Sequence, residues 1–373
     1  MPTRSCFTAA MFAASLLPAA AVAQAAAPSD PPATWAAVDS FVRAEMVRQR
    51  VPGLALAVVR NGTLVRAQGY GVASLEHQVP VTASTVFQSG SVGKQFTSAL
   101  VMQLVGEGRL SLDDRLSKFY PRGPIAWRDV TIRHLLSHTA GISERFYETV
   151  DLHLEYADST IVRLIGDQPL DFAPGSKWSY SNPGYLLLGY IIQQVTGRFY
   201  GDLLEERIFG PLGMTTAMII DEPSIVPNRA AGYEADSGRI VNQTWVSRKF
   251  NTTADGSLYL TVLDLAKWDA ALYGDRVLPA SALAQSWTPI RLNDGSTHPY
   301  GFGWALGSVN GHRIIEHGGS WQGFKSYIAR YVGDGLTVIV LMNFSEARPA
   351  EFAHGIAGVL DPRLKPSAAP GRP

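Results

Sequence analysis

Strand-like patterns near both ends of this chain, with a helical stretch between them, constrain its fold more than any other feature. Leu54 to Val59 is continuously apolar, Asn61-Gly62 follows, and Leu64 to Gly69 returns. An Asn-Gly step between two such runs predicts a β-hairpin, because both residues tolerate the positive φ of its tight turn. Far along the chain the pattern recurs. Trp304 to Val309, Asn310-Gly311 and His312 to Glu316 form one hairpin pattern; Ser326 to Tyr331, Gly333-Asp334-Gly335 and Leu336 to Met342 form another. From about Leu112 to Ile240 the spacing is mostly helical, with long loops. The prediction is an α+β fold: one antiparallel sheet built from both termini, flanking terminal helices, and an inserted, mostly helical region. A site is expected where the two parts meet.

The helical elements follow the same logic. Trp35, Val38, Phe41, Val42 and Met46 share one side of a first helix. A second runs from Ser91 to about Val105 with Phe96, Leu100 and Leu104 inward, ended by Gly106 and Gly108. A third has Asn182 as N-cap and Pro183 at its first position, and stops near Gly197. Two more are predicted over about Val262 to Leu272 and Ala350 to Val359.

The chain has 373 residues, enough for a sizeable core, and 32 basic against 32 acidic side chains. That balance gives no electrostatic reason to expect nucleic acid or an anionic membrane as partner. Arg4, the apolar run Phe7 to Ala20 and Ala21-Val22-Ala23 before Gln24 read as a signal peptide over residues 1–23. The run is short for a membrane span. The single cysteine, Cys6, lies inside that leader, so no disulfide or thiolate site is expected. The expectation is a periplasmic or secreted protein with no span in its mature chain. Residues 24–33 and 363–373 are Ala/Pro-rich and read as flexible. One catalytic unit is expected over 32–362, its sheet part about 32–111 and 241–362, its helical part about 112–240.

Ser91-Val92-Gly93-Lys94 is the one S-x-x-K in the chain, at a predicted helix start. Residues three apart share a helix face, so the Lys94 amine can lie beside the Ser91 hydroxyl and accept its proton. Tyr180-Ser181-Asn182 is the one Y-x-N, and His317-Gly318-Gly319 the one match to [HK]-x-G. They occur in that order, at a loop before a helix and at a strand end.

In this order the three motifs resemble those of the serine β-lactamase and penicillin-binding-protein superfamily. The closer likeness is to its Y-x-N branch of AmpC-type β-lactamases, DD-carboxypeptidases, D-aminopeptidases and esterases. The resemblance extends from about Pro32 to Pro362. Thr131 to Ile142, Tyr300-Gly301-Phe302-Gly303-Trp304 and Pro211 to Met214 add to it. It implies a serine hydrolase with Ser91 as acylated nucleophile. Lys94 is then base or holder of the proton network, and Tyr180 is proton donor to the leaving group and helper in deacylation. Asn182 is implied to bind Lys94 or a substrate amide. With His317 and Gly319 of the third motif, Ser320 completes the substrate-binding set, its backbone N–H and that of Ser91 forming an oxyanion hole. No cofactor or metal is implied.

The third motif departs from the lactamase pattern, which has Lys-Thr-Gly; no K-x-G occurs here. A histidine, with a reference pKa of ~6.5, is mostly neutral at pH 7 where a lysine is charged. Carboxylate recognition should therefore be weaker, which favours small esters, amides or peptides, with D-configured residues among them. A true β-lactamase or DD-carboxypeptidase is the enzymatic alternative. A non-catalytic binder of cell-wall fragments is the alternative from another class, and the complete Ser-Lys-Tyr set argues against it.

Other signals are weaker. His134 and His138 have zinc-helix spacing, but Leu135 replaces the glutamate of H-E-x-x-H, so both are read as structural. No G-x-S-x-G occurs, which excludes an α/β-hydrolase elbow. Trp321, Phe324, Trp304, Phe146 and Tyr147 are possible pocket walls. Glu144 and Glu148 fall in a plausible region without a matching motif.

Overall fold

A computed structural model describes residues 31–366; the leader, its cleavage site and residues 367–373 lie outside them. Seven strands form one sheet: β1 (Gly53–Arg60), β2 (Thr63–Ser74), β3 (Val79–Pro80), β4 (Ala305–Val309), β5 (His312–Trp321), β6 (Phe324–Tyr331) and β7 (Leu336–Met342). Their order is β4-β5-β6-β7-β1-β2-β3, with every pairing antiparallel. The two ends of the chain meet at β1 and β7, where Leu54 pairs with Met342, Leu56 with Val340 and Val58 with Val338.

Helices cover both faces of that seam, so its strands are apolar on both sides rather than alternating. Leu54, Leu56, Val58, Val338 and Val340 pack with Val38, Val42, Phe352 and Ile356 of two terminal helices, α1 (Pro32–Gln49) and α5 (Pro349–Leu360). Ala55, Ala57, Val59, Ile339 and Leu341 face the second core. That core also holds Leu265 and Trp268 of α4 (Val262–Ala271), Phe96 and Leu100 of α2 (Lys94–Gly106) and Leu187 and Ile191 of α3 (Asn182–Thr196). Small side chains at Ala55 and Ala57 let α4 approach the sheet closely. No helix of the described residues is long and apolar enough to cross a membrane.

Several elements differ from the sequence reading, each for a local reason. Ser91 does not open the α-helix; it lies in a 3-10 turn, Gly90–Gly93, and α2 begins at Lys94. With three residues per turn, positions 91 and 94 stack more directly than in an α-helix. Asn182 is not the N-cap of α3. The Ser181 hydroxyl accepts from the Gly184 N–H, which leaves the Asn182 amide free for other work. Strand β5 continues past Glu316 through the non-apolar His317 to Ser320, held by pairing with β6. The middle region also contains a hairpin, Tyr233–Asp236 with Arg239–Asn242. At the ends, α1 already starts at Pro32, and the ordered chain passes Pro362: Leu364 is buried and Asn310 binds the carbonyls of Arg363 and Lys365.

The nucleophile turn is wedged against β5. A Cβ on Gly319 would lie 2.1 Å from the Ser89 carbonyl oxygen, 2.3 Å from Ser326 Oγ and 3.0 Å from the Ser91 nitrogen. Gly90, at φ +49, meets the Ser320 nitrogen in the same way at 2.4 Å. Backbone thus touches backbone where strand and turn cross. Gly319→Ala should push the turn away and cost about 1–3 kcal/mol, as overpacking of a tight contact does. Urea unfolding beside an activity assay checks this; an unchanged midpoint with unchanged activity would refute the wedge.

Candidate active site

Lys94 organises the site. Its side chain is fully buried, and its Nζ has three oxygen neighbours: Ser91 Oγ at 3.0 Å, Asn182 Oδ1 at 2.7 Å and the Asp255 carbonyl oxygen at 2.6 Å. As an ammonium it donates to all three. As an amine it donates to Asn182 and Asp255, which can only accept, and its lone pair faces the Ser91 hydroxyl. The shell therefore fits both protonation states and aims the basic one at Ser91. Burial lowers the Lys94 pKa to about 8, against the opposing pull of the Asp255 and Glu144 carboxylates. About one molecule in ten then carries the free amine at pH 7.

Tyr180 behaves oppositely. Its hydroxyl is buried without a well-formed hydrogen bond, and burial holds its proton on, against a smaller opposing effect from Ser91. Its ring centroid lies 4.9 Å from Lys94 Nζ. The usual near-coincidence of Lys and Tyr pKa values is thus split: lysine is the group that loses its proton, and tyrosine stays a phenol able to give one.

Behind Tyr180 lies a chain of neutral rings. His138 is tilted against the Tyr180 ring at 4.2 Å between centroids. Its Nδ1 accepts from the Ser181 N–H at 3.1 Å, so its proton sits on Nε2, 3.2 Å from the Tyr300 hydroxyl. Tyr300 in turn lies 2.9 Å from His317 Nε2, while His317 Nδ1 donates to the Gly318 carbonyl at 2.6 Å. Every donor faces an acceptor when both imidazoles are neutral. Burial lowers both pKa values, that of His317 to about 4, with the Lys94 charge adding to the effect.

In front of Ser91 opens a cleft of about 280 Å³ lined by Gly90, Glu144, Tyr147, Asn182, Asp255, Ser320 and Trp321 among others. Its described lining contains two carboxylates and no lysine, arginine or histidine. A larger groove of about 940 Å³, near the end of α2, contains none of the motif residues.

The structure brings Ser91, Lys94, Tyr180 and Asn182 together, with Gly319 and Ser320 beside Ser91 and His317 behind on β5. It places Trp321 and Tyr147 on the cleft, but Phe146, Trp304 and Phe324 in the core. His134 serves a helix cap with Thr131, and His138, hydrogen-bonded to Ser181 and Tyr300, lies against the Tyr180 ring. Glu144, Asp255 and Tyr300 were not assigned from sequence. Glu144 accepts from both the backbone N–H and the Nδ2 of Asn182, at 3.2 Å for the latter, and burial raises its carboxyl pKa although the residue itself is exposed. Tyr300 carried a signal, since it opens the Y-G-x-G-W segment; Asp255 carried none.

Residues 38–358 match the beta-lactamase family model. A penicillin-binding protein of Bacillus subtilis is 31% identical over 77% of this chain and 68% of its own length. A D-aminopeptidase of Gluconobacter oxydans is 29% identical over 91% of this chain, which spans only 64% of that relative. Among solved structures, an octameric penicillin-binding protein homologue from Pyrococcus abyssi superposes with a TM-score of 0.77 at 29% identity, over 87% of this chain and 77% of that one.

The Lys94 environment sets a pH dependence. With the Lys94 free amine as the base expected for Ser91, labelling by an alkyl fluorophosphonate should rise about tenfold per pH unit below about pH 8 and level off above it. Labelling rates that stay flat from about pH 6 to pH 9 would rule out Lys94 as the titrating base.

Proposed function

The chain belongs to the beta-lactamase family of serine hydrolases, and we propose that it is an exported enzyme that cleaves small uncharged or amine-bearing esters and amides through an acyl-enzyme on Ser91. D-configured amino-acid amides and peptides are included, in keeping with the D-aminopeptidase relatives. The observation that carries the substrate reading is the cleft itself: beside the nucleophile stand Glu144 and Asp255, and the third-motif histidine is neutral. A substrate carboxylate there would meet like charge from a described lining without lysine, arginine or histidine, and the nearby Lys94 ammonium already faces Glu144 and Asp255. Export rests on the leader pattern of residues 1–23.

The chemistry uses the contacts described and one further proton transfer, from Lys94 to Tyr180, whose ring centroid lies 4.9 Å from Nζ. The Lys94 amine takes the Ser91 proton as Oγ bonds to the substrate carbonyl carbon, and the carbonyl π electrons move onto oxygen. We assign that oxyanion to the N–H groups of Ser91 and Ser320; the close packing of turn against strand supports the assignment. As the intermediate collapses, the leaving group departs with the Tyr180 proton, which the Lys94 ammonium replaces. Water then repeats the sequence on the acyl carbon, and Ser91 recovers its proton.

Two results test this reading. A fluorophosphonate adduct should form on the native protein and vanish in Ser91→Ala, with both proteins folded; absence of any serine-dependent adduct would sink it. The neutral His317 gives a second test. Because its pKa is about 4, a neutral p-nitrophenyl ester should outpace its carboxylate-bearing analogue at pH 7, and His317→Gln should leave the pH dependence of that ratio between about pH 5 and pH 7 unchanged. A swing toward the carboxylate substrate on acidification that disappears in His317→Gln would mean that His317 becomes a cation in the working range; one that persists reports loss of the Glu144 charge, whose pKa burial raises.

A further inference from the structure

We propose that Glu144 is a positioning residue that sets the basic face of Lys94 by fixing which way the Asn182 side-chain amide points. This rests on the Ser91 hydrolase reading above.

The argument is one of hydrogen-bond polarity. Glu144 sits in a short 3-10 turn, Glu144–Glu148, whose start is held by the Ser143 hydroxyl. One of its carboxylate oxygens takes the backbone N–H of Asn182, and the other takes Asn182 Nδ2 at 3.2 Å. An ionised carboxylate only accepts, so the amide must turn Nδ2 toward Glu144 and Oδ1 toward Lys94. Oδ1, 2.7 Å from Nζ, then demands an N–H from the lysine. The Asp255 carbonyl demands a second at 2.6 Å. What remains on a neutral amine is its lone pair, and the remaining neighbour is Ser91 Oγ at 3.0 Å. Polarity passes in order from Glu144 to Asn182, to Lys94, to Ser91.

Reversing the first step reverses the last. In Glu144→Gln one carboxylate oxygen becomes an NH2 donor, and the Asn182 amide is better paired when flipped, with Oδ1 toward Gln. Nδ2 then faces Nζ and competes with Ser91 for the lysine lone pair. Substrate would still enter the cleft, so the loss falls on kcat rather than KM.

Glu144 also lines the cleft, so a direct contact with substrate is the competing role. A double-mutant cycle separates the two. The native protein, Glu144→Gln, Asn182→Ala and the double variant are compared for p-nitrophenyl acetate turnover and for fluorophosphonate labelling rate, each after a melting curve. Glu144→Gln should lower kcat and labelling roughly tenfold to a hundredfold, the scale of one hydrogen bond to a charged group, with KM within about twofold. Added to Asn182→Ala it should change labelling by less than about twofold. Glu144→Asp, which keeps a carboxylate, should fall between the native protein and Glu144→Gln, and it carries the test if the glutamine variant does not fold.

A second readout follows the charge. Lys94 is faced by Asp255, Glu144, Tyr180, Tyr185, His138 and His317. Removing the Glu144 charge takes away one favourable partner of the ammonium, so the alkaline plateau should begin at lower pH even though it is lower in height. Glu144→Asp, which keeps the charge, should leave that limb in place, so a shift in the glutamine variant alone reports the lost charge and a shift in both would contradict this account. Native-like kcat in Glu144→Gln overturns the proposal, as does an equal loss in both backgrounds or a change confined to KM. If the native protein forms no Ser91 adduct, the hydrolase reading falls and this proposal with it; if it does and Glu144→Gln matches it, this proposal alone falls.

Discussion

The structure depends on keeping one lysine amine out of water without leaving it unpaired. Lys94 is enclosed by three acceptors from separate stretches of chain: Ser91 on the turn before α2, Asn182 at the start of α3 and the Asp255 carbonyl on the loop before the short strand Leu258–Leu260. Burial makes the ammonium costly. A fall in pKa from 10.5 to about 8 corresponds to about 3 kcal/mol, a large share of a typical folding margin. The sign follows from linkage: below about pH 8 the folded state bears the full cost, and it is relieved as pH rises toward the unfolded value of 10.5. That cost is offset by the cores on both faces of the sheet, and it leaves an amine whose pKa lies near neutrality.

Pairing is what makes such burial tolerable, and the same rule explains His317. An ammonium at this depth would need acceptors of its own and would stand near Lys94. The imidazole instead closes a chain with Tyr300 and His138 in which each proton has one place to go. Behind the cleft this leaves a neutral ring, while Glu144 and Asp255 are the carboxylates of its described lining. The proposed substrate preference is therefore tied to how a buried hydrogen-bond network balances, as well as to the shape of the opening.

Much of this was legible in the sequence. The Asn-Gly turns marked hairpins, and their placement at opposite ends forced the termini together in one sheet. The Ser91, Tyr180 and His317 motifs are short and contiguous, so their chemistry can be read locally. What escaped was nonlocal. Nothing in the residues around Asp255 shows that its carbonyl will meet Lys94, because the contact is made by a backbone oxygen that every residue possesses. Glu144 was visible as a carboxylate, but its two bonds to Asn182 exist only once the 3-10 turn packs against α3. Strand β5 was read short because His317 to Ser320 lack the apolar alternation that signals a strand; β6 supplies the pairing instead.

The Asn182 example shows why a single capping assignment matters to chemistry. Read as an N-cap, its side chain would be spent on the first turn of α3 and could orient nothing else. Ser181 takes that task, through its hydroxyl and Gly184, and Asn182 becomes the first helical residue. Its amide is then free to stand between an anion and an amine. A short polar side chain with one acceptor and one donor end is suited to that position, since it transmits the polarity of one neighbour to the other. Aspartate would add a second negative charge beside Glu144, and alanine would leave Lys94 with one acceptor fewer. The Y-x-N spacing is thus a division of labour: the residue between Tyr180 and Asn182 secures the helix so that its two neighbours can face the nucleophile.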